Sequence, residues 1–217
     1  MQNKKFYVPA LVSLLLFILL TLLVKANYTH SPIPGFDPAI QNFGFQMQGN
    51  AFLLGISELI ATLLGPKGGL VLSVLIFLVL FFAFRKRAEA IWFAGIIIVG
   101  VGFNTGLKVL IGRVRPDIHR IPAYAHEPGM SFASGHSLFA TLIFGCLFLM
   151  LAQHLKSRAA QWLAGIIALL FIGLAMFSRI LLGVHYPSDT VAGFLLGLFL
   201  ICLSYPALKN YQKNRLL

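Results

Sequence analysis

The chain has 217 residues, 59% of them hydrophobic and only 11% charged, with a formal net charge of +11. Soluble domains carry about a quarter charged residues, so this balance excludes an ordinary soluble fold and points to an integral membrane protein. In that setting the positive charge follows the positive-inside rule and anionic lipid headgroups, and no nucleic-acid partner is implied.

A span needs roughly 20 mostly apolar residues. Lys4 and Lys5 precede the first such run, Phe6 to Val24. It is longer than the apolar core of a signal peptide, about 7–15 residues, so a retained anchor helix is expected. The stretch from Ala26 to Asn50 is rich in Pro, Gly and Asn and reads as an extramembrane loop. Ala51 to Leu64 is apolar but too short to cross comfortably, and contains Glu58; a short helix lying at the interface fits it. Further spans are expected at about 67–84, ended by Arg85-Lys86-Arg87, and at about 89–110. In the latter, Gly95, Gly100, Gly102 and Gly106 would permit close helix approach. After a polar loop, 111–133, come spans at about 136–154, 160–177 and 189–206.

The expected architecture is therefore all-α. It is one domain over 1–217, a six-transmembrane-helix bundle with an extra short interfacial helix on the outer side. Cys146 and Cys202 lie inside apolar runs and read as inert thiols. No zinc pattern is present, and the Gly65–Gly69 stretch is too short for a phosphate-binding loop.

With the N-terminus inside, ten of the seventeen basic residues fall on inner segments: Lys4, Lys5, Arg85, Lys86, Arg87, Lys156, Arg158, Lys209, Lys213 and Arg215. Both termini are then cytoplasmic. The outer side holds Lys25, Lys67, Lys108, Arg113, Arg115, Arg120 and Arg179, five of them in the two segments next to the histidines, and three polar islands stand out there: Lys108 to Asp117, Ser131 to Ser137, and Ser178 to Asp189. Crossing parity alone brings the three to one membrane surface.

Their chemistry is complementary. Lys108, Arg115 and Arg179 supply fixed positive charge, two of them as planar forks suited to phosphate oxygens. Ser134 and Gly135 precede a helix whose N–H groups can face an anion. His136 and His185 can each handle protons near neutral pH. Asp189 follows His185 by four residues, and Pro187 suits a first helical turn, so the carboxylate can hold that imidazole and stabilise its cationic form. The set suits phosphoryl transfer: the carboxylate-paired histidine attacks phosphorus, and the other protonates the leaving oxygen.

Lys108-x6-Arg115-Pro116, Ser134-Gly135-His136 and Ser178-Arg179-x5-His185-x3-Asp189 together resemble the three-part signature of the type 2 phosphatidic acid phosphatase superfamily. The resemblance implies His185 as nucleophile through a phosphohistidine, His136 as acid then base, and Asp189 as orienter. It implies Lys108, Arg115, Ser134, Gly135 and Arg179 as the phosphate cradle, with no metal and no cofactor. The family usually has proline before Ser-Gly-His; this chain has Ala133.

Arg113 and Arg120 read as solvated loop or headgroup charges, and His119, His126 and Glu127 as loop residues. His154 reads as interfacial, Tyr186 as a possible cleft wall, and Glu58 as a residue pairing near the access route or elsewhere in the bundle. The expectation is a multi-pass plasma-membrane enzyme with its site at the extracytoplasmic face, a membrane lipid phosphate as substrate and no obligate protein partner. By resemblance the substrates are phosphatidylglycerophosphate, undecaprenyl diphosphate or phosphatidic acid. The rivals are a lipid phosphotransferase using the same phosphohistidine, and a lipid or anion transporter whose histidines gate protons.

Overall fold

A computed structural model describes residues 5–214; Lys4 and Arg215 lie outside the described residues. The order is α1 (Tyr7–Asn27), α2 (Phe36–Gln46), α3 (Ala51–Leu64), α4 (Pro66–Leu78, continued by a π turn, Val79–Ala83), α5 (Arg87–Ile111), α6 (Gly135–Ala152), α7 (Arg158–Leu181) and α8 (Pro187–Asn214). Six of these, α1 and α4 to α8, are long and apolar enough to cross a membrane, with the π turn completing the crossing of α4.

Helix ends follow local chemistry. Asn50 caps α3 by accepting from the N–H groups of Phe52 and Leu53, and Ser157 caps α7 by accepting from Ala160, each worth about 1 kcal/mol. At the other end of α5, the Lys25 ammonium donates to the carbonyls of Leu110 (2.8 Å) and Ile111 (3.4 Å), satisfying groups that lipid would leave unpaired. Lys25 thereby serves as a cap.

In lipid, helices associate by packing more than by escape from water. The most buried spans are α6 and α8, which form the centre of the bundle. A side chain at Gly193 of α8 would put its Cβ 2.4 Å from the Ser134 carbonyl oxygen, so glycine lets α8 reach the start of α6. Of the four glycines expected to serve helix approach in α5, only Gly100 does; at Gly95, Gly102 and Gly106 an added Cβ meets open space.

Three boundaries differ from the sequence expectation. The segment before α3 holds a helix, α2, which meets α3 at 119°. Its Pro and Gly residues cluster at the start, where Gly35 supplies a positive φ of 75° and Pro38 sits in the first turn, a place where helices tolerate proline. Helix α7 runs on to Leu181, so Arg179 belongs to its last turn, and α8 continues to Asn214. Apolar content marks only the part of a helix that faces lipid, whereas backbone hydrogen bonding carries on through polar residues.

Candidate active site

The C-terminal ends of α5 and α7 and the N-terminal ends of α6 and α8 converge at one end of the bundle, closed over by the 112–134 loop. Gly183 makes the α7–α8 turn fit beneath that loop. Its φ is +73°, and a Cβ there would lie 2.5 Å from the His119 carbonyl oxygen. Sequence-distant residues thus meet around His185, which is 1% exposed.

The two sides of the His185 imidazole have opposite character. On one side, Arg115 Nη1 lies 3.0 Å from Nε2. On the other, Nδ1 lies 3.2 Å from Ser131 Oγ and 3.4 Å from Asp189 Oδ2. The Ser131 hydroxyl also donates to Asp189 Oδ2, so it bridges the pair. A proton on Nδ1 facing these acceptors leaves the Nε2 lone pair to accept the Arg115 N–H, on the side that faces the cavity cations. Burial, and then the Arg115 guanidinium, hold the His185 imidazole well below the usual histidine range. Both effects favour the uncharged imidazole.

Asp189, in the first turn of α8, also accepts the Tyr186 N–H at 2.9 Å. Its Oδ1 accepts from Arg113 Nη1 at 2.8 Å. This corrects the expectation for Arg113. It is not a solvated loop charge: its side chain is fully buried between Asp189 and Asp37, with its Cζ 4.1 Å above the Tyr186 ring. Tyr186 therefore packs on a cation rather than serving simply as a cleft wall.

The cationic groups form a cradle. Arg115 is fixed by the carbonyls of Gly129 (3.1 Å), Pro128 (3.0 Å) and Val184 (2.9 Å). The Lys108 ammonium donates to the carbonyls of Met130 and Ser131 at 2.5 and 3.2 Å. Arg179 gives Nη2 to Glu127 at 2.8 Å. Its Nε and Nη1 are buried and, among the described residues, have no partner. Buried guanidinium N–H groups left open can take an acceptor such as a phosphate oxygen. Glu127 is thus more than a loop residue, since its carboxylate pairs with that arginine.

Ser134 caps α6, accepting from the Ser137 N–H at 3.4 Å and the Ser137 hydroxyl at 3.1 Å, while its own N–H donates to the Asp189 carbonyl at 3.0 Å. Gly135 and His136 follow in the first turn. His136 Nε2 lies 3.0 Å from the Ala61 carbonyl of α3, which leaves Nδ1 for proton traffic. Both histidines line a cavity of about 720 Å³. Its polar lining is Lys108, Arg115, His136 and His185 with Asn104, Thr105 and Glu127, and much of the remainder, including Leu64, Leu70, Ile97, Ile98, Val101 and Phe139, is apolar. Leu70 of α4 and Ile98 of α5 are exposed on the bundle surface, so the apolar end opens toward lipid between these helices.

All eight expected residues therefore gather at one end. Sequence reasoning missed Asp37, Arg113, Ser131 and Asn104; the last lines the cavity beside Gly135, its Oδ1 buried without a partner among the described residues. The available signal was scarcity: only six carboxylates occur in the chain, and Asp37 is one of them. The other loop residues have local duties. Arg120 donates to the Pro116 and Ala125 carbonyls, His119 stacks on Phe45 at 4.2 Å, and His126 and Glu58 are exposed. His154 contacts Lys86 at the opposite end.

Residues 89–213 match the family model of the PAP2 superfamily. The chain belongs to the PAP2 superfamily. It is 32% identical to a phosphatidylglycerophosphatase B of Bacillus subtilis, over 88% of this chain and 91% of that one. It is 30% identical to an undecaprenyl-diphosphatase of Sulfolobus acidocaldarius, over 93% and 91%. The crystal structure of a transmembrane PAP2-type phosphatidylglycerolphosphate phosphatase from Bacillus subtilis superposes with a TM-score of 0.71 at 27% identity, covering 94% of this chain and 96% of that one. With these PAP2 relatives the chain is a membrane-embedded phosphatase of lipid phosphates.

Proposed function

We propose that the chain hydrolyses phosphatidylglycerophosphate or undecaprenyl diphosphate at the outer face of the plasma membrane, through a phosphohistidine on His185. The observation that carries this is the two-part cavity, cationic at His185 and apolar toward the α4–α5 surface. A charged headgroup fits the first part while an acyl or prenyl tail stays in lipid. The outer face is supported by charge: the opposite end carries Arg85, Lys86, Arg87, Lys156, Arg158 and Lys209, as cytoplasmic ends do. The two relatives compared above carry names for these two lipid classes at nearly equal identity.

In the first step His185 Nε2 attacks phosphorus as the bond to the lipid oxygen breaks. Arg115, Arg179, Lys108 and the N–H groups at the start of α6 hold the three equatorial oxygens. A protonated His136 gives its Nδ1 proton to the leaving oxygen, and Asp189 stabilises the positive charge that His185 acquires. Water then attacks phosphorus, passing its proton back to His136, as the phosphorus–Nε2 bond breaks and returns its electron pair to His185, and inorganic phosphate leaves.

The test is phosphate release from bilayers of phosphatidylglycerophosphate, undecaprenyl diphosphate or phosphatidic acid, without any added acceptor and with His185→Ala as control. The proposal expects release from one of the first two at a rate the control lacks. Phosphate passed to an added alcohol, with none released to water, would make the chain a transferase, and lipid movement without release a transporter; either overturns it.

A further inference from the structure

Asp37 belongs to α2, outside every expected site segment, yet it is fully buried. Its carboxylate takes four hydrogen bonds. Oδ1 accepts the Ser188 N–H at 2.8 Å, in the first turn of α8. Oδ2 accepts the Ser188 hydroxyl (2.8 Å), the Ile33 N–H (2.8 Å) and Arg113 Nη2 (3.0 Å). Arg113 in turn gives Nη1 to Asp189, the carboxylate beside His185. A continuous chain of charge therefore runs Asp37, Arg113, Asp189, His185, and the first three side chains have no exposure at all.

Charge balance gives this chain a purpose. A phosphorylated His185 carries positive charge, and Asp189 favours it only if its own charge is not cancelled. Arg113 at 2.8 Å would cancel it. The other cations near His185, namely Arg115, Lys108 and Arg179, oppose a cationic imidazole as well. Arg115, the first of them, stands on the Nε2 side, where the phosphate would bind. The negative balance on the Nδ1 side needs a second carboxylate, and Asp37 is the one bonded to Arg113.

We propose that Asp37 is a positioning residue that acts on His185 through Arg113 and Asp189: it offsets the Arg113 charge, so that the buried cluster stays net negative and favours the phosphohistidine cation. The proposal rests on His185 being the nucleophile. It also makes α2 part of the working site, because the same carboxylate holds the first turn of α8.

The test is rapid-quench labelling with lipid carrying a radioactive phosphate, together with steady-state kcat and KM. Asp37→Asn keeps size and acceptor atoms but removes the charge. Labelling rate and kcat should fall about 10- to 100-fold, the size of a one- to two-unit electrostatic coupling, with KM little changed. Asp37→Asn/Arg113→Gln removes both charges and restores the net −1 of Asp189, so it should label faster than Asp37→Asn alone. A purely structural role predicts the reverse, since the double variant breaks more bonds. Should Asp37→Asn not fold, the double variant is compared with Asp37→Asn/Arg113→Lys, and the proposal requires the glutamine form to be faster. Wild-type labelling by Asp37→Asn, or a double variant no faster than its cationic counterpart, overturns the role of Asp37. Absence of an acid-labile, alkali-stable phosphoenzyme in the wild type overturns the His185 nucleophile instead, so the two failures are distinguishable.

Discussion

The two ends of the bundle are both rich in basic residues and use them in opposite ways. At the end that carries His185, Arg113 and Arg179 are wholly buried, and Lys108 and Arg115 are tied to carbonyls of the covering loop. At the opposite end Arg85, Arg87, Lys156 and Arg158 are exposed and Lys86 and Lys209 half-buried, with exposed partners such as Gln153 for Lys209. The composition is alike; the environment differs. A buried cation needs a fixed counter-charge or a ligand, whereas an exposed one needs only water and headgroups. Substitution should therefore be costly at one end and cheap at the other.

The largest effect is expected for His185→Ala, which removes the attacking nitrogen. Turnover should fall by at least roughly 10⁴-fold, as for removal of a nucleophile that works within a concerted set, while the detergent-solubilised protein stays monodisperse. Next comes Arg179→Lys. The charge is kept but the planar fork with its two open N–H groups is lost, and kcat should drop about 10²- to 10³-fold, the cost of a missing transition-state donor. His136→Ala should divide substrates by leaving group. A lipid ester, whose alkoxide needs a proton, should slow about 10²- to 10⁴-fold, and a diphosphate, whose leaving phosphate does not, much less.

Arg115→Gln sharpens the comparison through pH. Arg115 is one of the causes that hold His185 below the usual histidine range, alongside burial, Lys108, Arg179 and His136. Removing one cation makes the imidazolium easier to form, so the neutral nucleophile is lost at a higher pH than in the wild type. The ratio of kcat/KM, variant to wild type on one substrate, should fall as pH is lowered; a flat ratio contradicts the coupling. The smallest effect belongs to the opposite end. Lys156→Gln with Arg158→Gln should leave kcat/KM within about twofold, the behaviour of exposed charges.

His185, Asp189, His136, Lys108 and Arg115 were legible because their spacing is local and crossing parity alone brings the three segments to one surface. Arg113 was not, because two residues before Arg115 an arginine looks solvated unless its partners are known. Those partners, Asp37 and Asp189, lie 76 residues away on either side, and no pattern in one sequence joins them. Helix α2 was hidden for a related reason: Gly35 and Pro38 read as loop formers, but here they start a helix held down by its buried Asp37. Six spans could be counted from apolar length, whereas the true ends of α7 and α8 depend on hydrogen bonding that hydropathy does not register.

The central claim is that phosphate passes through His185. Mass-spectrometric mapping of enzyme quenched in alkali during turnover tests it most directly. A phosphoryl group on His185 is expected, one that vanishes in His185→Ala and persists, more slowly formed, in Asp37→Asn. Phosphate release by the wild type with no modified His185 at any quench time would contradict it.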